Sequence, residues 1–139
     1  MTTDNNNDTL QKFIFDNAAV RGEFVDISST WREIGQRRSY PPAVKTVLGE
    51  MVAAAALLSA NLKFNGAIIM QIHGDGPVRL LVVECDSELR MRATAKVAEG
   101  ATVADDVSLT ELLPPGAKAR FVITLDPVDK TRAEWIAIA

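Results

Sequence analysis

Cysteine, histidine and tyrosine are scarce in this chain of 139 residues, which contains one of each. The lone cysteine, Cys85, cannot form an internal disulfide, so disulfide bonds do not hold this domain together. Cys85 and His73 are also too few for zinc, which needs about four Cys, His or carboxylate ligands at close spacing. We therefore predict no metal site in this chain, and the shortage of cysteine favours the reducing cytoplasm.

Long apolar runs and a surplus of positive charge are also missing. The most apolar run, residues 51–58, is far shorter than the roughly 20 residues of a membrane span. The N-terminus has neither the basic nor the apolar region of a secretory signal. A net charge of -3 opposes dominant binding to nucleic acid or to an anionic membrane, because both require a positive field. We therefore predict a soluble cytoplasmic protein with no nucleic-acid or membrane partner.

Motifs for catalysis or for a bound cofactor are not visible either. His73 and Cys85 could indicate a thiol–imidazole pair, but the predicted hairpin around residues 74–77 places His73 opposite Val78, more than about 20 Å from Cys85. The Gly-Asp-Gly-Pro turn in that hairpin lacks the Gly-Lys-Ser/Thr ending of a phosphate-binding loop and precedes a strand. We predict no catalytic residue and no cofactor-binding residue.

The sequence does contain the pattern of one long helix among several strands. Apolar residues recur at three- and four-residue steps over residues 41–62, which predicts a central, alanine-rich helix that begins at two prolines. Alternating or continuous apolar runs predict strands over residues 20–27, 67–73, 78–85, 88–97, 119–125 and 132–139. The fold class that follows is α+β, with antiparallel or mixed β-sheets packed against a long central helix in a single domain.

Smaller signals refine this outline. The spacing of Thr30 to Glu33, and of Ser108 to Glu111, is that of a capping box and predicts two short helices. Residues 1–9 are polar and predict a disordered tail, which leaves residues 10–139 as the core domain. The chain stops inside an apolar strand, which natural domains rarely do, so we expect a piece of a longer protein, truncated at its C-terminus.

Several segments, taken in order, resemble the N-terminal core of the 33-kDa heat-shock protein family. They are residues 15–23, 40–44, 57–58 and 62–66, Gln71 followed by residues 74–78, and Met91-Arg92, where Ala93 replaces the family's glycine. The match extends over roughly residues 10–139. None of these motifs is specific alone, but their order and spacing are.

The resemblance implies a redox-regulated, ATP-independent holdase chaperone that binds unfolding clients in the cytoplasm under oxidative stress. Members of the family carry a C-terminal Cys-x-Cys and Cys-x-x-Cys cluster, which binds zinc when it is reduced and releases it on oxidation. This chain contains none of those cysteines, and Cys85 matches none of them, so zinc is expected only in the full-length protein. In the family, the part that is absent here covers hydrophobic surface on the core.

A client-binding surface has to expose apolar side chains, and six residues are our candidates for it. They are Leu80, Val82, Leu89, Met91, Trp135 and Ile136. The competing interpretation is that all six belong to the core. Two other functions stay open: a fragment of a small hydrolase or transferase whose catalytic residues lie downstream, and a passive dimerisation module, since open strand edges favour homodimers.

Overall fold

The computed structural model describes residues 7–63, 65–113, 116 and 118–129, together with the backbone of residues 134–138. The elements, in chain order, are β1 (Thr9–Ile14), β2 (Arg21–Asp26), α1 (Ser28–Arg37), α2 (Pro42–Asn61), β3 (Gly66–His73), β4 (Val78–Asp86), β5 (Met91–Val97), α3 (Leu109–Leu112), β6 (Arg120–Pro127) and β7 (Glu134–Ile138). The predicted α+β class is confirmed.

Helix α2 is the centre of the core, as its apolar pattern predicts. Pro42 stands in its first turn, where a missing N–H costs little. Val44, Leu48 and Val52 are completely buried, at successive four-residue steps. In length and composition α2 could also span a membrane, and it is the one helix of the described chain for which this holds, but its apolar side chains here form the protein core.

Five strands form one antiparallel sheet in the order β5-β4-β3-β6-β7. Helix α2 lies across one face of it and contacts β3, β4 and β5. The strand residues that face α2 alternate with residues on the other face, and they supply most of the sheet's contribution to the core: Ile68, Met70, Ile72, Leu81, Val83 and Cys85. The sheet is therefore covered on the α2 side, and its second face contains the intervening residues.

Strands β1 and β2 form a separate antiparallel hairpin that packs on α2. Lys12 Nζ donates a hydrogen bond of 2.9 Å to the carbonyl oxygen of Ala60. Asn61 Nδ2 donates one of 2.6 Å to Glu23 Oε2. These polar contacts attach the hairpin to the last turn of α2 by the face that includes Lys12 and Glu23.

The N-terminus of α1 differs from its prediction. The helix begins at Ser28, two residues before Thr30, and Thr30 and Glu33 do not form the predicted capping box. Instead the Asp8 carboxylate accepts hydrogen bonds from the backbone N–H of Ser29 at 2.8 Å and of Thr30 at 3.1 Å, and from the Thr30 hydroxyl. A residue 22 positions away has replaced the local cap, which sequence spacing cannot reveal.

Other boundaries differ less. The capping box of Ser108 and Glu111 is formed, and it begins α3. The predicted strand over residues 88–97 begins only at Met91, because the preceding residues form a turn closed by the Asp86 side chain. The predicted tail, residues 1–9, overlaps the ordered fold, since Asp8 caps α1 and Thr9 begins β1. Residues 1–6 lie outside the described part.

Candidate functional site

The six predicted client-binding residues are not brought together by the fold. Leu80 and Val82 are half-buried and lie on the sheet face that points away from α2, opposite Lys96 and Thr94 of β5. Met91 lies on the other face, where it pairs with Cys85 and packs against the core. The predicted set is thus divided between two faces.

The remaining three candidates lie elsewhere. Leu89 is 39% exposed in the β4–β5 turn, where its backbone has a φ of 61°. Trp135 and Ile136 belong to β7, with their backbones paired to Thr124 and Ile123 of β6. The side chains of Trp135 and Ile136 lie outside what the structure describes, so the prediction for them remains a prediction.

The outward face of the sheet combines apolar and polar side chains. Gln71 of β3 lies between Val82 of β4 and Val122 of β6, and Ile69 is on the same face two residues earlier. These side chains are half-buried by their neighbours within the sheet. In the part of the chain that the structure describes, the helices pack on the opposite side of the sheet, where Ile34 and Leu112 join the core. Leu80, Val82, Ile69 and Val122 therefore lie among polar and charged neighbours on a face that the described helices do not cover.

Among the aromatic residues whose side chains the structure describes, the most exposed lie on the β1–β2 hairpin. Phe13, Phe15 and Phe24 are 48%, 52% and 59% exposed. The Phe13 and Phe15 rings meet edge to face, with their centroids 5.9 Å apart, and the Phe13 ring lies over Gly22 of the paired strand. We call Phe13, Phe15, Phe24 and the adjacent Val20, which is 53% exposed, the aromatic face. Contiguous exposed apolar surface of this kind marks an interaction site.

The sequence contained a signal for the aromatic face that the prediction did not use. Phe13-Ile14-Phe15 places apolar side chains on both faces of a strand, although a hairpin that lies on one helix can bury only one face. Ile14 on the α2 side is also exposed, at 76%, because it lies near the hairpin tip. An apolar run without alternation in a two-stranded hairpin predicts such a surface.

Two grooves flank α2. One, of about 420 Å³, lies between α2, α3, β3 and β6, and its walls include Met51, Met70 and Phe121. The other, of about 560 Å³, lies between β2, α1 and α2. Glu50 of α2 lines both grooves, so it lies on the ridge of the helix that separates them.

The residues considered for catalysis do not meet. His73 pairs with Leu80, not with Val78 as predicted, and Cys85 pairs with Ile68. His73 is therefore five residue steps along β3 from Ile68, the partner of Cys85, or about 17 Å at the rise of a strand. This is shorter than the predicted separation because the register is two residues different, but a thiol–imidazole pair requires hydrogen-bond contact.

The two titratable groups at the end of β4 have opposite shifts. Burial raises the pKa of the Cys85 thiol, against the hydrogen bond from Ser59, and the charge of Asp86 raises it further. Burial would raise the pKa of Asp86 as well, but hydrogen bonds from Arg90 and Glu88 outweigh burial and lower it. Cys85 is thus a neutral core thiol. Within the described residues, no three His, Cys, Asp or Glu side chains group as metal ligands would.

Comparison with known proteins decides the family. The family model described as Hsp33 protein matches residues 8–134, nearly the whole chain. The chain belongs to the Hsp33 family. The resemblance drawn from the ordered motifs is therefore confirmed, and the matched residues include the hairpin, α2 and strands β3 to β6.

Relatives of this Hsp33 core have the name 33 kDa chaperonin. The protein of Chromobacterium violaceum is 50% identical over 135 residues, which are 96% of this chain and 44% of the relative. That of Neisseria gonorrhoeae is 44% identical over 128 residues, 92% of this chain and 42% of the relative. That of Actinobacillus pleuropneumoniae is 40% identical over 136 residues, which are 98% of this chain and 44% of the relative. The chain spans less than half the length of these relatives.

Proposed function

We propose that this chain is the client-binding core of a redox-regulated, ATP-independent holdase chaperone. Membership of the Hsp33 family and the relatives' name, chaperonin, support a chaperone and give no support to a hydrolase or transferase. The structural observation that carries the proposal is the aromatic face, where three of the chain's five phenylalanines are exposed on one side of a hairpin.

The chemistry of such a surface suits unfolded proteins. An unfolding client exposes apolar side chains, and each Å² of apolar surface removed from water contributes about 25 cal/mol before the cost of ordering. Aromatic rings have few rotatable bonds, so they bind at a low cost in side-chain entropy. Leu80 and Val82, half-buried on the sheet face away from α2, add a smaller apolar area. Neither surface requires a nucleotide, which is consistent with ATP independence.

Redox regulation and zinc belong to the full-length protein in this proposal. Thiolates bind zinc when reduced and release it on oxidation, which couples the redox state to folding. Cys85 does not serve that purpose, because it is buried between strand and helix and its pKa is raised. The switch cysteines would lie in the part of the relatives that this chain does not span. We also propose a cytoplasmic location, a homodimer, and no nucleic-acid or membrane partner.

Suppression of client aggregation tests the proposal. Light scattering of a thermally unfolding client, such as citrate synthase, is followed with and without the chain. We expect the chain to lower the scattering and the variant Phe13→Ser/Phe15→Ser/Phe24→Ser to lose most of that effect. The control is Val128→Ser, because Val128 is 69% exposed and follows β6, outside the hairpin. A chain that leaves scattering unchanged, with its fold intact by circular dichroism, contradicts the proposal.

A further inference from the structure

The groove between β2, α1 and α2 combines aromatic walls with negative charge. Phe24 and Trp31 line it, and so do the carboxylates of Asp26 and Glu50. Phe24 also belongs to the aromatic face, so the groove continues that surface toward the helices. None of the described residues that line the groove is Lys or Arg. The groove is therefore apolar and anionic at once.

Both carboxylates are available to a ligand. Glu50 is exposed on α2, and none of the described residues forms a hydrogen bond or ion pair with it. Asp26 accepts hydrogen bonds from the side chain and backbone of Ser28, which lower the pKa of its carboxyl below its ordinary value. The remaining lone pairs of Asp26, and all those of Glu50, can accept bonds from a cation.

One wall of the groove is a strand edge. In the described part of the chain, β2 pairs only with β1, so its second edge has no strand partner. Phe24 and Asp26 lie on the part of β2 that lines the groove, together with Val25 between them. An edge strand beside an apolar groove can be extended by a further strand, whose main-chain hydrogen bonds provide affinity and whose side chains enter pockets.

We propose that this groove binds an extended client segment in which a Lys or Arg stands beside apolar residues. The segment pairs with the free edge of β2, its apolar side chains contact Phe24 and Trp31, and its cation lies between Asp26 and Glu50. A cation is attracted both to carboxylates and to the faces of aromatic rings, and the groove lining contains both kinds of group. The lining therefore favours a cationic side chain through two kinds of interaction. The inference rests on the proposed chaperone function and adds a preference among its clients.

Binding of two matched peptides tests the inference. Both are fluorescein-labelled and alternate Val and Phe with one variable position, Arg in the first and Glu in the second. We expect the Arg peptide to bind the 139-residue chain more tightly at low salt, and the difference to shrink as salt screens the charges. Equal binding of the two peptides overturns the inference.

Variants of Glu50 locate the site. Because Glu50 is exposed, we expect Glu50→Gln to weaken binding of the Arg peptide about two- to fivefold, the usual range for one exposed charge pair. Glu50→Lys should reverse the order of the two peptides. The matched controls are Glu99→Gln and Glu99→Lys, at an exposed position after β5. If the Glu99 variants act like the Glu50 variants, the net charge of the chain and not the groove determines which peptide binds more tightly, and the inference fails.

The aggregation assay and the peptide assay together separate the inference from the function on which it rests. If the chain suppresses client aggregation while peptide binding is indifferent to Glu50, the chaperone proposal stands and the groove is not a client site. If the chain suppresses no aggregation and binds neither peptide, both fail. Light scattering of the chain alone gives its mass. If the chain is a dimer and Glu50→Lys dissociates it, a second copy of the chain occupies the groove. That result also overturns the inference.

Discussion

The indole ring of Trp31 occupies the space in which Gly49 would carry a side chain. A Cβ atom at Gly49 would stand 3.1 Å from the nearest ring atom, closer than ordinary van der Waals contact. Helix α1 therefore approaches α2 through the largest side chain on one helix and the absence of a side chain on the other. This contact also forms the floor of the groove beside β2, where both residues are found.

A larger residue at Gly49 should separate the two helices. We expect Gly49→Leu to lower the free energy of unfolding by about 1–3 kcal/mol, because overpacking forces the indole ring to move. Urea unfolding followed by tryptophan fluorescence measures it. Thr46→Leu is the control, since Thr46 is exposed one turn earlier on the same helix and should change stability by less than about 0.5 kcal/mol. Equal effects at both positions would refute the contact.

Asp8 should stabilise α1 although it is distant in sequence. Its carboxylate satisfies two N–H groups of the first turn, which have no partner within the helix. We expect Asp8→Ala to lower the free energy of unfolding by about 0.5–2 kcal/mol, the usual range for loss of a cap, and Asp8→Asn to lower it by less. Asp16→Ala in the exposed hairpin turn is the control. Thermal unfolding that is unchanged by Asp8→Ala would mean that the cap contributes nothing.

Leu89 should be under backbone strain. Its φ of 61° lies in the left-handed region, which costs a residue with a Cβ atom roughly 1–2 kcal/mol. Its side chain is 39% exposed, so little packing is lost on removal. We expect Leu89→Gly to raise the free energy of unfolding by about 0.5–1 kcal/mol. This is the strain that the substitution relieves minus the cost of the greater chain entropy that glycine has in the unfolded state. Leu89→Val should lower it. A loss of stability in the glycine variant would show that the side chain packs more than it strains.

Cys85 should react with thiol reagents only after the protein opens. The side chain is completely buried and burial raises its pKa, so thiolate is scarce in the folded state. We expect the native chain to react with Ellman's reagent on the order of a hundredfold more slowly than the chain in denaturant. Rapid reaction of the native protein would contradict this account, and would reopen a redox role for Cys85.

The same shift predicts how stability depends on alkaline pH. Because the folded pKa is raised, the unfolded chain loses the thiol proton first, at an ordinary thiol pKa of about 8.5. The contribution of Cys85 is thus fully present below that pH and is lost as the pH rises toward the folded pKa. Urea unfolding at several pH values gives the free energy of unfolding against pH for the chain and for Cys85→Ala. The difference between the slopes of these two plots belongs to the thiol. Parallel slopes would mean that the shift is absent.

The secondary structure follows from local patterns where those patterns are long. The steps of three and four residues in α2, the strand patterns of β3 and β4, and the Ser108 capping box all predict what the structure contains. Each depends only on neighbouring residues. The start of α1 could not be predicted in this way, because its cap comes from Asp8. The register of β3 on β4 was misplaced by two residues, since turn residues alone do not establish which strand residues pair.

The candidate site depended more on tertiary structure. Met91 was predicted to bind clients together with Leu80 and Val82, but only the assembled sheet shows that Met91 packs against the core while Leu80 and Val82 point to the other side. The exposure of Phe13 and Phe24 likewise depends on which face of the hairpin meets α2. The run Phe13-Ile14-Phe15 indicates apolar side chains on both faces of a strand, but the sequence does not say which of the two faces meets α2.

By itself, the sequence determined the α+β class, the central helix and the Hsp33 family, because each is contained in composition, periodicity and the order of short motifs. Tertiary structure alone decided which apolar residues face water, which strand edges stay free, and that Glu50, Asp26, Phe24 and Trp31 line one groove. The physical reason is that burial and charge proximity depend on contacts between residues far apart in the chain, and no local pattern specifies those contacts.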